Sequence, residues 1–190
     1  MYEIEVYEAV VLGKRAVREA DTLVDLFTPA GLVRAAARGA RHERSKLRYG
    51  LEPLTRGRFS LVRGKREWRL TGVEAVSRGF AQAPRVRRAA MSRITRLLLR
   101  LVVGVEPSPE LYRTVTEGFS ALAAVDAAAV DAVEVVLVLR VLSHLGYLPH
   151  TEALAPFIEG EFSIELSAKA LESRALLVRA INESLSATGL

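Results

Sequence analysis

Side chains able to make or break bonds are few in this sequence and do not converge. The three histidines, His42, His144 and His150, are scattered, with no carboxylate at metal-ligand spacing. There is no cysteine, which excludes disulfides, thiolate zinc sites and a cysteine nucleophile. Gly57 and Gly64-Lys65-Arg66 lack the spacing and the Ser/Thr of a phosphate-binding loop. Glu3 and Glu5 share a strand face and read as solvated charges, and Tyr147 beside Gly146 and Pro149 reads as a helix end. What the chain does concentrate is cationic side chains. Between Gly31 and Arg69 stand twelve basic residues against Glu43, Glu52 and Glu67, a formal charge of +9. The expectation is a binding protein rather than an enzyme, with no catalytic residues, no metal, no cofactor and no small-molecule substrate.

The basic residues are patterned as strands require. Val33, Ala35 and Ala37 alternate with Arg34 and Arg38, and Phe59 and Leu61 alternate with Arg56, Arg58 and Ser60, so each segment has an apolar face and a basic one. Two or more strands should then present arginines on a common outer face, a surface suited to a polyanion. The net charge of +5 conceals an asymmetry: residues 1–100 carry +12 and residues 101–190 carry −7. Opposite charge in the two halves suggests two modules with different partners, the basic one being the nucleic-acid candidate. No basic amphipathic helix or acylation motif points to lipid. The N-terminal residues do not read as a secretory signal, and the most apolar stretch, Ala127 to Leu145, is interrupted by Asp131, Glu134 and Arg140. The expected localisation is cytoplasmic and nucleoid-associated, with no membrane partner.

The elements that would position these cations can be read in order. Ile4 to Leu12 is a strand broken by Gly13-Lys14-Arg15. Thr22 to Thr28 is a second, joined to a third, Leu32 to Ala40, by the turn Pro29-Ala30-Gly31. Arg41 to Tyr49 is irregular or one helical turn, stopped by Glu52-Pro53. The fourth strand is Leu54 to Arg63, Gly64-Lys65-Arg66 reverses the chain, and Trp68 to Val76 is the fifth. Five short strands with one basic face predict a small barrel of the oligonucleotide-binding (OB) kind over residues 1–78. Closure would bury Val33, Phe59, Leu61, Trp68 and Leu70; Trp68 shares parity with Leu70 and so reads as core or barrel end before base-stacking platform. From residue 79 the periodicity is helical. Pro84 to Val103 has one apolar face and an opposite face holding Arg85, Arg87, Arg88, Arg93, Arg96 and Arg100, on which the basic surface would continue. Ser108-Pro109 is an N-cap followed by proline at the first helical position. Ala127 to Leu145 is a central buried helix ended by Gly146, and a final helix runs from about Ser167 to Ser186. The fold class is therefore α+β: a five-stranded barrel, then an all-helical domain over residues 79–190.

At this level of detail the chain resembles the RecO family of bacterial recombination mediators. The matching residues are Gly13-Lys14, Glu19-Ala20-Asp21-Thr22-Leu23, Gly31-Leu32-Val33, Ala37-Arg38-Gly39-Ala40-Arg41, Leu51-Glu52-Pro53-Leu54-Thr55 and the helical run Leu139 to Pro149. The resemblance implies an OB-fold domain followed by a helical domain, without enzymatic turnover. It implies DNA repair and recombination: binding of single- and double-stranded DNA, annealing of complementary strands, and recombinase loading together with single-strand-binding protein and RecR. Carried over by position, Arg38, Arg41, Arg44 and Lys46 fall on the family's DNA-contacting segment. The strand-face argument adds Arg34, Arg56, Arg58 and Arg69. The acidic, apolar tail of single-strand-binding protein would need a basic-rimmed groove, for which Arg96, Arg100 and Arg140 are the candidate rim. The chain departs from the family after Pro149. Where many members carry a cysteine zinc module, it continues His150-Thr151-Glu152-Ala153-Leu154, so no zinc is expected. Two other readings use the same basic face: a generic RNA- or ribosome-binding OB protein, and a protein-interaction adaptor meeting an acidic partner.

Overall fold

The computed structural model describes residues 3–65, 67–77, 80 and 83–187. Arg66 of the basic segment, and residues 78 and 79 at the expected domain boundary, lie outside them. The first half is a closed five-stranded barrel. Strand β1 (Ile4–Ala16) pairs antiparallel with both β2 (Thr22–Thr28) and β4 (Arg56–Arg63); β2 pairs with β3 (Gly31–Ala37), and β4 with β5 (Trp68–Ser77). A short parallel contact, Ala35 opposite Trp68 and Ala36 opposite Arg69, joins β3 to β5 and closes the ring in the order β1-β2-β3-β5-β4. This is the OB barrel that the alternating pattern predicted.

The interior is built from the apolar parity of each strand. Val11, Val24, Leu26, Ala35, Phe59 and Leu61 are all fully buried, with Leu70 4% exposed. Val33 and Trp68 pack against this core while remaining partly exposed. The Trp68 ring lies edge-on to Tyr7 at 6.1 Å and carries the Arg63 guanidinium at 5.4 Å, so it serves the barrel wall. Gly57 is dictated by closeness. A Cβ there would stand 2.3 Å from the Glu74 carbonyl oxygen of β5, so only glycine allows β4 and β5 to approach at that point.

Three expected boundaries are corrected. β1 does not stop before Gly13; it absorbs a register shift between Val11 and Gly13, a β-bulge, and runs on to Ala16. Glycine and charged residues look like a strand end, but a bulge uses the same residues to bend a strand that continues. β3 ends at Ala37, because Gly39 turns the chain with φ +63°. The last helix is two, α5 (Ile164–Glu172) and α6 (Arg174–Ala187), separated at Ser173. α5 begins before the expected Ser167 because the Ser163 hydroxyl accepts the Leu166 N–H as N-cap.

The remaining helices are α1 (Arg85–Leu101), α2 (Pro109–Ala124), α3 (Val130–His144) and the single turn α4 (Ala155–Ile158), with 3-10 turns at Arg48–Leu51 and Ala127–Ala129. Ser108 caps α2 by accepting the Leu111 N–H. The chain divides into two compact units, Met1–Ala83 with Thr95–Tyr112, and Pro84–Ile94 with Arg113–Leu190. In the first, Leu99 packs within reach of Gly13, and the Phe27 and Tyr112 rings meet at 5.8 Å. In the second, α3 is the buried centre: Val133, Val136, Leu137, Leu139 and Leu142 are at most 2% exposed. Arg93 of α1 reaches Glu134 through two hydrogen bonds, which raises the arginine's pKa. Arg174 does the same to Asp131 and lowers the carboxyl's pKa. Among the described residues, no helix is long and apolar enough to cross a membrane.

Two outcomes follow from this packing. Gly57→Ala should lower unfolding free energy by about 1–3 kcal/mol through overpacking against the β5 backbone. Gly72→Ala, whose Cβ would meet only the Ser60 side chain at 3.4 Å, should cost less; denaturant titration compares them. Arg140→Met should cost about 2–4 kcal/mol, since it removes charged donors from the carbonyls of Phe157 and Glu159, and thermal unfolding reads the loss.

Candidate nucleic-acid interface

The bulge at Gly13 carries Lys14 and Arg15 to the end of the barrel, beside the β1–β2 turn at residues 17–21. The basic connection between β3 and β4 folds onto that turn. The Gly39 N–H donates to the Asp21 carboxylate at 2.9 Å, and the Arg41 N–H donates to the Ala20 carbonyl at 3.1 Å. The Arg41 Nη1 donates to the carbonyls of Arg18 and Glu19 at 3.2 and 3.1 Å. Successive tight turns follow, with Ser45 N–H donating to His42 and Arg48 N–H to Ser45, and end in the 3-10 turn at Arg48–Leu51. Leu51 is 2% exposed in the barrel core and so pins the far end of the connection. A run of charges that sequence alone leaves irregular is thus a folded strap, held at both ends.

Strap and barrel border a half-open cavity of about 460 Å³. Its floor is Thr22, Ala40 and Leu51, all buried, and its charged lining is Lys14, Arg15, Arg41, Arg48 and Glu52. Lys14 and Glu52 form an ion pair at 2.9 Å. Among the described residues, Arg15 and Arg48 have no acceptor for their guanidinium groups. Four cations against one carboxylate give the lining a formal charge of +3. Such a lining attracts phosphate oxygens and has no group positioned to attack them.

The residues expected from sequence separate into groups. Arg38, Arg44 and Lys46 are exposed on the strap, whose acids are Glu43 and the Lys14-paired Glu52, and Arg41 lines the cavity. Arg34 on β3 is exposed but bound to Asp25 at 2.6 Å. Arg58 lies opposite Glu8 of β1 and Glu74 of β5 in register, so carboxylates flank it across both neighbouring strands. Arg56 and Arg58 line a second cavity of about 370 Å³ with Glu8, Glu74 and Tyr112. There burial pushes the Tyr112 phenol's pKa up, while Arg56 draws it back. Arg69 is exposed on β5. The expected common arginine face is therefore patched with acid on the strands and free of it mainly along the strap.

Arg96 and Arg100 are exposed on α1, in the barrel-containing unit. Arg140 is not a rim residue. It is 4% exposed in the helical unit, donates to the carbonyls of Phe157 and Glu159 at 2.9 and 3.0 Å, and lies 4.4 Å above the Phe162 ring. Desolvation lowers its pKa, and its donors tie the α4 turn to the central helix. On α1, Arg93 is committed to Glu134, and Arg87 donates to the Ala123 carbonyl, which thins the expected basic face of that helix. Lys14, Arg15 and Arg48 are the cations that strand reasoning missed. The signal was present in Gly13-Lys14-Arg15, where a glycine inside a strand pattern marks a bulge as readily as an end. Among the described residues, no group of three or more His, Asp or Glu side chains stands close enough to hold a metal ion.

Two family models match the chain, "Recombination protein O N terminal" over residues 1–78 and "Recombination protein O C terminal" over residues 85–155. The chain is also 33% identical over 144 residues to a protein from Heliobacterium modesticaldum named DNA repair protein RecO, an alignment covering 75% of this chain and 51% of that protein. The chain thus spans about half the length of the curated relative it matches.

The strap's anchoring can be measured. Arg41→Ala removes two hydrogen bonds to the β1–β2 turn, which should cost about 1 kcal/mol and accelerate lysine-specific proteolysis at Lys46. Arg44→Ala, which breaks none of the strap's hydrogen bonds, should leave the cleavage rate near that of the wild type.

Proposed function

Because the chain belongs to the RecO family, we propose that it is a non-enzymatic DNA-binding mediator of repair and recombination. The single observation that carries this reading is the strap. Arg38, Arg41, Arg44, Lys46 and Arg48 stand on one folded connection, anchored to an OB barrel, against Glu43 and the Lys14-paired Glu52. Cations held on a fixed backbone neutralise phosphates and release condensed counterions, which gives affinity without base reading and steep salt dependence. Two strands bound to such a surface repel one another less, so complementary strands anneal there without bond chemistry. Both single- and double-stranded DNA are substrates in this reading. Single-strand-binding protein and RecR are the partners with which recombinase is loaded, and the acidic helical half is the surface left for proteins.

The arginines paired across strands contribute less, because a neighbouring carboxylate offsets their attraction for phosphate. The strap therefore dominates the electrostatic contribution to binding.

Binding of a fluorescent single-stranded oligonucleotide across a salt series tests this. Each phosphate contact adds about 0.7 to the slope of log K against log salt, so Arg38→Ala/Arg44→Ala/Lys46→Ala should reduce the slope by about 2. Arg34→Ala/Arg58→Ala should reduce it by less. A wild-type protein that fails to bind at low salt, or a triple variant with an unchanged slope, would overturn the reading. A preference for structured RNA over single-stranded DNA would favour the RNA-binding alternative.

A further inference from the structure

The cavity beside the strap is a half-open basin with a buried floor and a cationic rim. Its floor of Thr22, Ala40 and Leu51 belongs to the buried barrel, and its cations come from two separated stretches of chain, the end of β1 and the strap. Arg41 is fixed by the carbonyls of Arg18 and Glu19, and Lys14 is held by Glu52, so two of the four cations are pre-organised before any ligand arrives. Arg15 and Arg48 remain with unused donors. The lining's formal charge of +3 exceeds what one internal phosphodiester, a monoanion, would neutralise.

We infer that this cavity receives the terminal phosphomonoester of a DNA strand, an inference that rests on the DNA-binding reading above. A terminal phosphate carries about −1.5 to −2 at neutral pH and three acceptor oxygens, enough for Arg15 and Arg48 to donate together while Arg41 adds a third cation. A terminal phosphate can also place all three of its non-bridging oxygens against these cations, whereas an internal phosphodiester offers two. The surface residues Arg38, Arg44 and Lys46 are left to follow the strand beyond its end. The protein would thereby favour strand termini over continuous strand, on charge and without reading bases.

The experiment compares three otherwise identical short oligonucleotides, ending in a 5′-hydroxyl, a 5′-phosphate or a 3′-phosphate, with the full chain at fixed salt. Deoxyadenosine 5′-monophosphate serves as the free source of the same group. At least one phosphorylated end should bind about tenfold more tightly than the hydroxyl end, and Arg15→Ala/Arg48→Ala should bring that ratio close to one. The ratio is the readout, so a general loss of affinity in the variant does not mimic the result. Equal binding of all three oligonucleotides, or a ratio that survives the double variant, overturns the inference while leaving the salt-dependent DNA reading intact. If the free nucleotide binds as tightly as the phosphorylated strand, the ligand is a nucleotide and the strand-end inference fails. If the hydroxyl-ended oligonucleotide does not bind even at low salt, it is the underlying DNA reading that fails.

Discussion

The barrel depends on one strand that serves two partners. β1 pairs with β4 from Ile4 to Val10 and with β2 from Val10 to Ala16, and a bulge just past Val11 lets thirteen residues bend from one partner to the other. Without that bend the ladder of β1 would end with its first partner, and the sheet would be left with open edges. Closure has a second effect. The connection from β3 to β4 crosses the barrel end to which the bulge has brought Lys14 and Arg15, turning Ala40 and Leu51 into the core and its charges outward. The cationic cavity is therefore a by-product of how the ring is completed.

The same closure decides which cations remain available. On a barrel wall every outward side chain has neighbours on two adjoining strands, and here acidic residues take several of those positions: Asp25 beside Arg34, Glu8 and Glu74 beside Arg58. Exposed pairs of this kind contribute little to stability, about 0–1 kcal/mol, but they lower the local potential that a polyanion would feel. The strap has no adjoining strand to supply carboxylates. One of its guanidinium groups, that of Arg41, meets backbone carbonyls instead, and these hold it in place without cancelling its charge.

Much of the barrel was legible because strand parity is strict. Phe59 and Leu61 against Arg56 and Arg58 left one arrangement that buries carbon and exposes charge, and that arrangement is present. The central helix was legible for a similar reason, since Val130 to Leu142 offers too little polar surface to lie anywhere but inside. What could not be read turned on ambiguous local signals. Gly13 is compatible with a strand end and with a bulge, and only the pairing of Lys14 to Ala16 with β2 decides between them. Ser173 interrupts a stretch whose apolar spacing is continuous across the break. Arg140 was misplaced because residue type says surface, whereas its guanidinium finds two carbonyls and a ring inside the helical unit. In the site, the strap's composition was visible but its fold was not. Its anchors, Asp21 to Gly39 and Arg41 to Arg18 and Glu19, depend on contacts between residues some twenty positions apart, which no local pattern encodes.

The division of the chain bears on the order in which it folds during synthesis. The unit containing the barrel also takes in Thr95–Tyr112, and the helical unit takes in Pro84–Ile94, so the two assignments interleave along the chain. Neither unit is complete until residues of the other have been made. The barrel adds a delay of its own, since β1 must wait for β4 and β3 for β5, pairings that carry a high loop-closure cost and form slowly. A nascent chain stopped at residue 78 would hold all five strands and still lack Leu99 and Tyr112, which pack against Gly13 and Phe27. For this protein, the end of the fifth strand and the end of the unit that contains the barrel do not coincide.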